Sequence, residues 1–262
     1  MTYFCIMNKA VFITVRTGST RLPGKTLLEI DGLKTIEYVI KITKQCKKAD
    51  LVVLCTTTSP NDDVLVELAK KYNISYFRGS EEDKLERWLG ATKEFDVDYF
   101  VTADGDDLLC DAGLMDLEFD QYEKNGADFI DCGEDILCGA VTYGIKTSAL
   151  TKVCEIKNSE ETEMMWTYFK DTGLFKVEVL ECDKFFRRPD IRLTLDYSED
   201  LEMFENIFAH FKGKEISLRE VINYLDANPE VIKINQFRLK DWADVQKQKT
   251  KLVLKGDTNG KE

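Results

Sequence analysis

Residues 10–25 read Ala-Val-Phe-Ile-Thr-Val-Arg-Thr-Gly-Ser-Thr-Arg-Leu-Pro-Gly-Lys, an apolar strand that runs into a basic, glycine-containing loop. Ala10–Val15 has the length and β-branched content of a buried strand. Beyond it, Gly18 and Gly24 let the backbone turn and approach a ligand, while Ser19 and Thr20 offer hydroxyl and amide donors. Arg16, Arg21 and Lys25 bring three positive charges to the same loop. At the carboxyl end of a strand, where open α/β sheets bind ligands, this is the make-up of a phosphate cradle. It is not a P-loop, although Gly24-Lys25-Thr26 resembles the end of one. That motif places four residues between its glycines; here five separate Gly18 from Gly24, and Pro23 stands where the second glycine belongs. Nor is it the dinucleotide fingerprint. An ordinary basic turn is the plainer alternative and ranks below the cradle.

The charge around this loop runs against the rest of the chain. Of 262 residues, 36 are Lys or Arg and 48 are Asp or Glu, a net charge of −12. Residues 1–28 nevertheless hold Lys9, Arg16, Arg21 and Lys25 and no acid at all. A cationic segment in an acidic chain points to a bound polyanion. The overall acidity, with a pI near 4.8, argues against a general nucleic-acid or anionic-membrane binder. No apolar run approaches the roughly 18 residues of a membrane span. The opening MTYFCIMNK is too short in its apolar stretch for a signal peptide and has no small-residue cleavage site. Residues 1–8 read as an N-terminal extension, with Met7 an equally good start. Eight cysteines without a CxxC pair read as reduced thiols of a cytoplasmic protein. With His210 the only histidine, a zinc site or a His-based triad is not expected.

Outward from the loop, strand-length apolar runs alternate with helical patterns. Strands are expected at Ala10–Val15, Asp50–Thr56, Ile74–Phe77, Tyr99–Ala103 and Ala127–Asp131, and helices at Thr35–Lys47, Asn61–Tyr72, Glu81–Phe95 and Asp111–Asn125. Such alternation means crossover units on a mainly parallel sheet with helices on both faces. The second half is less regular. Gly139–Ile145, Phe175–Glu181 and Ile191–Leu195 read as strands, and Ser148–Glu155, Glu160–Lys170, Ser198–Phe211 and Ser217–Asn228 as helices. The tail from Thr250 is polar and expected to fray.

Three further segments carry chemistry. Thr102-Ala-Asp-Gly-Asp-Asp-Leu108 puts three carboxylates in four residues at a strand end, suited to Mg²⁺ or Mn²⁺ shared with substrate phosphates. A solvated acidic turn would look the same. Arg192-Leu-Thr-Leu-Asp196-Tyr-Ser-Glu-Asp200 ends a buried stretch in Asp196, a second candidate ligand, with Asp200 a first-turn acid. Phe77-Arg-Gly-Ser-Glu-Glu-Asp-Lys-Leu-Glu-Arg87 sets Asp83 and Arg87 one helical turn apart, either as an i,i+4 ion pair or at the nucleotide.

Together RTGSTRLPGK, FRGSEEDKLERW, TADGDD and RLTLDYSEDLE resemble the cytidylyltransferases that make CMP-activated sugars. The resemblance lies nearest the spore coat polysaccharide biosynthesis protein F group, with the 3-deoxy-manno-octulosonate cytidylyltransferases as cousins, and spans Arg16 to about Phe211. It implies a Rossmann-like nucleotidyltransferase fold, CTP, and Mg²⁺ with Mn²⁺ as the substitute. It implies phosphate contacts from Arg16, Ser19, Arg21 and Lys25, and metal ligation by Asp106 and Asp196. With Val15, Thr17, Gly18, Thr20, Arg78, Asp83 and Arg87, these loop residues make up the expected nucleotide site, and Lys25, Arg16 and Asp106 the catalytic set. Asp104, Arg187 and Arg188 are the expected acceptor contacts, the arginines as a clamp on an acceptor anion.

The chain departs from the family pattern at the acceptor end. The group has Gly-Asp-x-Pro where Gly105-Asp106-Asp107-Leu108 stands, a neutral Thr or Gln at Asp104, and Glu-His at Glu163-Met164. The expected activity is transfer of CMP from CTP to a small anionic acceptor with release of pyrophosphate, in surface polysaccharide or glycoconjugate biosynthesis. Two alternatives stand beside it: a glycosyltransferase using Asp104-Gly-Asp106 as its metal motif, and a non-catalytic nucleotide-binding protein. One domain over residues 9–249 is expected, with an insertion near Cys138–Phe186 that by family analogy forms a homodimer.

Overall fold

The computed structural model describes residues 7–256, so most of the extension at residues 1–8 and the end of the tail lie outside it. The chain runs β1 (Lys9–Thr14), the hairpin β2 (Glu29–Ile30) and β3 (Leu33–Lys34), α1 (Thr35–Thr43), β4 (Leu51–Thr57), α2 (Asp63–Lys71), β5 (Ser75–Gly79), α3 (Lys84–Glu94), β6 (Tyr99–Asp104) and α4 (Ala112–Asn125). It continues with β7 (Phe129–Asp131), β8 (Tyr143–Lys146), α5 (Thr147–Ile156), α6 (Trp166–Lys170), β9 (Val177–Val179), α7 (Ser198–His210), α8 (Leu218–Ala227), α9 (Pro229–Lys233) and α10 (Arg238–Lys249).

The main sheet has the order β5-β4-β1-β6-β8-β7-β9, and only β8 runs against its neighbours. β1 is central because both its faces are apolar. Val11 and Ile13 enter the core shared with α1, α2, α4 and α7, while Ala10 and Phe12 enter the one shared with α3, α5 and α6. The expected three-layer α/β architecture is therefore present, with β1 and β6 side by side and their carboxyl ends at one edge.

The second half differs from its pattern in several places; Gly139–Ile145 is a strand only from Tyr143, and α10 has no counterpart among the expected helices. Ile191–Leu195 is buried but joins no sheet; it is bonded to loops, through the Cys138–Arg192 bridge and from the Leu195 amide to the Asp106 carbonyl. Glu160–Lys170 is helical only from Trp166, and Pro229 begins α9 rather than merely closing α8. The tail does not fray at Thr250. Leu252 and Leu254 pack on the second core, Lys157 bridges to Leu254, and residues 257–262 lie outside the described part. No described helix is long and apolar enough to cross a membrane.

Gly139 fixes how closely the Ile191–Asp196 segment approaches. It has φ +92°, and a Cβ there would lie 2.1 Å from the Leu193 carbonyl oxygen. Gly139→Ala is expected to destabilise the protein by at least about 1–3 kcal/mol, from backbone strain alone. Urea denaturation measures it, and an unchanged midpoint would refute this close approach.

Candidate active site

The basic loop leaves β1 at Thr14 and turns at Gly24, whose φ of 69° leads into a single 3-10 turn at Lys25–Leu27. One end is tied down by Asp62, which accepts the Thr17 amide at 2.8 Å and hydroxyl at 2.7 Å, and the Thr56 and Thr57 hydroxyls on its other oxygen. Burial pushes the Asp62 carboxyl up, and these donors more than offset it. The other end is held by the Thr35 hydroxyl, which donates to the Lys25 carbonyl.

Lys25 reaches two carboxylates at once: Asp106, in the turn after β6, and Asp196 at 2.8 Å, just before α7. Arg21 donates to the same Asp196 oxygen, and Arg192 to the other at 3.1 Å. Burial alone would lower the Lys25 pKa and raise that of Asp196. Asp106 and Asp196 instead hold the ammonium well above the lysine range, and Lys25 and Arg21 hold Asp196 well below the carboxylate range. Behind them, Asp200 accepts the Asp196 and Tyr197 amides and pairs with buried Arg192, while Asn235 donates to Asp200 and to the Arg192 carbonyl. This polar network fixes the direction of Asp196.

These groups face a cavity of about 1270 Å³ at the carboxyl edge of β1 and β6, large enough for a nucleotide and a second substrate. Of the sequence-selected residues, Val15, Arg16, Gly18, Ser19, Thr20, Arg21, Lys25, Arg87, Asp104, Asp106 and Asp196 line it. Arg16 also bonds the Glu81 carbonyl and lies 3.5 Å from Glu163. Burial pushes the Asp104 carboxyl up to about 6.

Five selected residues are not on the wall. Thr17 is spent on Asp62. Asp83 caps α3 by accepting the Glu86 amide and is buried against Lys157 and Thr162, so it is not the partner of Arg87. Arg78 holds the Thr57 and Ser59 carbonyls and pairs with Asp63. Arg187 is paired with Asp135, and Arg188 with Asp190 and Asp226, so the expected acceptor clamp is not assembled.

The cavity also has walls the motifs did not reveal. Leu239, Trp242, Ala243 and Gln246 of α10 form one side, at i, i+3, i+4 and i+7, a spacing legible in the sequence. Lys84, the first residue of α3, projects from another.

Among the described residues, no three His, Cys, Asp or Glu side chains gather to hold a metal by themselves. Asp106 and Asp196 share one ammonium, so their nearest oxygens are no more than two hydrogen bonds apart. Two carboxylates completed by substrate phosphates suit a hard divalent cation such as Mg²⁺, so this donor set fits the expected ion.

The open α/β sheet, the basic loop after its central strand and the carboxylates at the same edge define a nucleotidyltransferase-type protein. A family model described as cytidylyltransferase matches residues 10–207, and the chain belongs to that family. It is accordingly a CTP-dependent nucleotidyltransferase. An uncharacterised protein of Methanocaldococcus jannaschii is 32% identical over 89% of this chain and 97% of its own. The spore coat polysaccharide biosynthesis protein SpsF of Bacillus subtilis is 28% identical over 86% of this chain and 97% of its own. The solved structure of a cytidylyltransferase from Leptospira borgpetersenii serovar Hardjo-bovis superposes with a TM-score of 0.79 at 30% identity, over 86% of this chain and 97% of that one.

Proposed function

We propose that the protein transfers CMP from CTP to a small anionic acceptor (a sugar acid, a sugar or alditol phosphate, or a phosphonate) for surface polysaccharide or glycoconjugate synthesis. The observation that carries this reading is the Lys25 ammonium, held between Asp106 and Asp196 at the end of a basic, glycine-bearing loop. An acceptor oxygen attacks the α-phosphorus in line. The new P–O bond forms as the bond to the β-phosphate oxygen breaks, and pyrophosphate leaves with the electron pair. Lys25, Arg16 and the amides of Gly18–Arg21 meet the charge that builds on the phosphate oxygens. Asp106 and Asp196 are the residues that would hold Mg²⁺ or Mn²⁺, which supplies further neutralisation of the phosphates when bound. The cavity walls exclude water and keep the two substrates in register.

A homodimer belongs to the same reading, formed through the region from Cys138 to Phe186. Leu174, Val177 and Val179 are exposed in that region, on or beside edge strand β9, which supports it.

The test is pyrophosphate release from CTP and Mg²⁺ across sugar acids, sugar phosphates, alditol phosphates and phosphonates. Release with at least one class is expected; none with any of them, with CTP bound, would leave a nucleotide-binding protein instead. Base choice is checked by thermal shift. CTP is expected to stabilise most, by about 2.7 kcal/mol at 100 times its Kd. Greater stabilisation by ATP or GTP would contradict the assignment of the base.

A further inference from the structure

Resting on the CMP-transfer reading, we propose that Lys84 is the residue that binds the anionic group of the acceptor and so selects for it. The cavity is lined by five lysines: Lys25, Lys84, Lys170, Lys247 and Lys249. Lys25 is paired with Asp106 and Asp196, Lys170 with Asp131 and Lys249 with Glu163, while Lys247 is exposed at the rim. Lys84 alone is half-buried with neither an ion pair nor a hydrogen bond to any described residue. Arg187 and Arg188 are unable to replace it, because both lie off the cavity in ion pairs of their own.

Its position is fixed rather than floppy. Asp83, immediately before it, caps α3 and is held by Lys157 and Thr162. The Lys84 ammonium lies 5.1 Å from the centre of the Trp88 ring, and Trp88 in turn donates to the Thr14 hydroxyl at 2.9 Å at the end of β1. The charged groups that face it are Asp104, Glu163, Arg87 and Asp106, none within ion-pair distance. It thus shares the cavity with Asp104 and Glu163, whereas Lys25 is taken up by Asp106 and Asp196.

An ammonium taken out of water without a counter-ion is a poor structural element and a good anion site. Burial lowers its proton affinity, and Asp104 opposes that. A carboxylate or phosphate on the acceptor would complete the pair, leaving Asp104 to accept from a hydroxyl of an acceptor that has one. Sugar acids and sugar or alditol phosphates share this chemistry.

The experiment compares wild type, Lys84→Met and Lys84→Arg with Mg²⁺ and CTP, using 3-deoxy-manno-octulosonate, glycerol 3-phosphate and methylphosphonate as acceptor probes. For the probe that is used, Lys84→Met is expected to raise the acceptor KM about 10–100-fold, the loss of one charge-assisted hydrogen bond. The KM for CTP should stay within about twofold, Lys84→Arg should recover most of the loss, and Lys84→Met should melt no lower than wild type. An unchanged acceptor KM, an equal rise in the KM for CTP, or a lower melting point would overturn the role of Lys84 while leaving CMP transfer standing. Absence of pyrophosphate release by the wild type with every probe would instead overturn the transfer reading beneath it.

Discussion

Replacing Lys25 by alanine is expected to keep the fold and to cut transfer by on the order of 10²–10³ in kcat, the effect of removing one preorganised charge from a phosphoryl transition state. The fold survives because Lys25 sits on a loop held by other groups: Thr17 on Asp62 at one end, Gly24 and the Thr35 hydroxyl at the other. The apolar cores receive nothing from its side chain. Asp196 keeps Arg21 and Arg192, so the variant does not strand a buried carboxylate without a cation. What is lost is the one ammonium that meets both Asp106 and Asp196 and stands where the phosphates are expected. Circular dichroism should match wild type while pyrophosphate release at saturating CTP falls. Near-normal turnover would show that the loop is an ordinary basic turn.

The first half of this fold was legible because each local signal had one physical cause. Apolar residues on both faces of Ala10–Val15 require a central strand, and the break to Arg16–Lys25 requires a loop at its carboxyl end. The acidic turn at Asp104–Asp107 follows for the same reason, one strand over. Ile191–Leu195 misled because burial alone does not choose a partner. Its apolar residues are covered, but its backbone bonds to loops at Cys138 and Asp106 instead of a sheet edge. Arg187 and Arg188 misled because sequence shows charge but not counter-charge, and Asp135, Asp190 and Asp226 come from elsewhere in the chain. Lys84 was hidden for the opposite reason: between Asp83 and Glu86 it looks like one more solvated helix charge. Only the three-dimensional fold shows that none of the nearby acids reaches it.

Asp106 and Asp196 are ninety positions apart in the chain, yet they are expected to behave as one unit, since both converge on Lys25, Asp106 from the turn after β6 and Asp196 from the buried segment before α7. Asp106→Asn and Asp196→Asn should each lower kcat/KM by on the order of 10²–10³. Their structural costs should differ. Asp106 is partly exposed, whereas Asp196 is buried among Arg21, Lys25 and Arg192, so Asp196→Asn should melt lower as well.

The most direct test of the shared unit is the double-mutant cycle on kcat/KM for pyrophosphate release from CTP. If the two carboxylates serve one cation and one phosphate group, the double variant should fall less than about tenfold below the weaker single variant, because residues that act together are not additive. Losses that multiply, or a single variant with near-normal kcat/KM, would contradict the shared unit and with it the proposed mechanism.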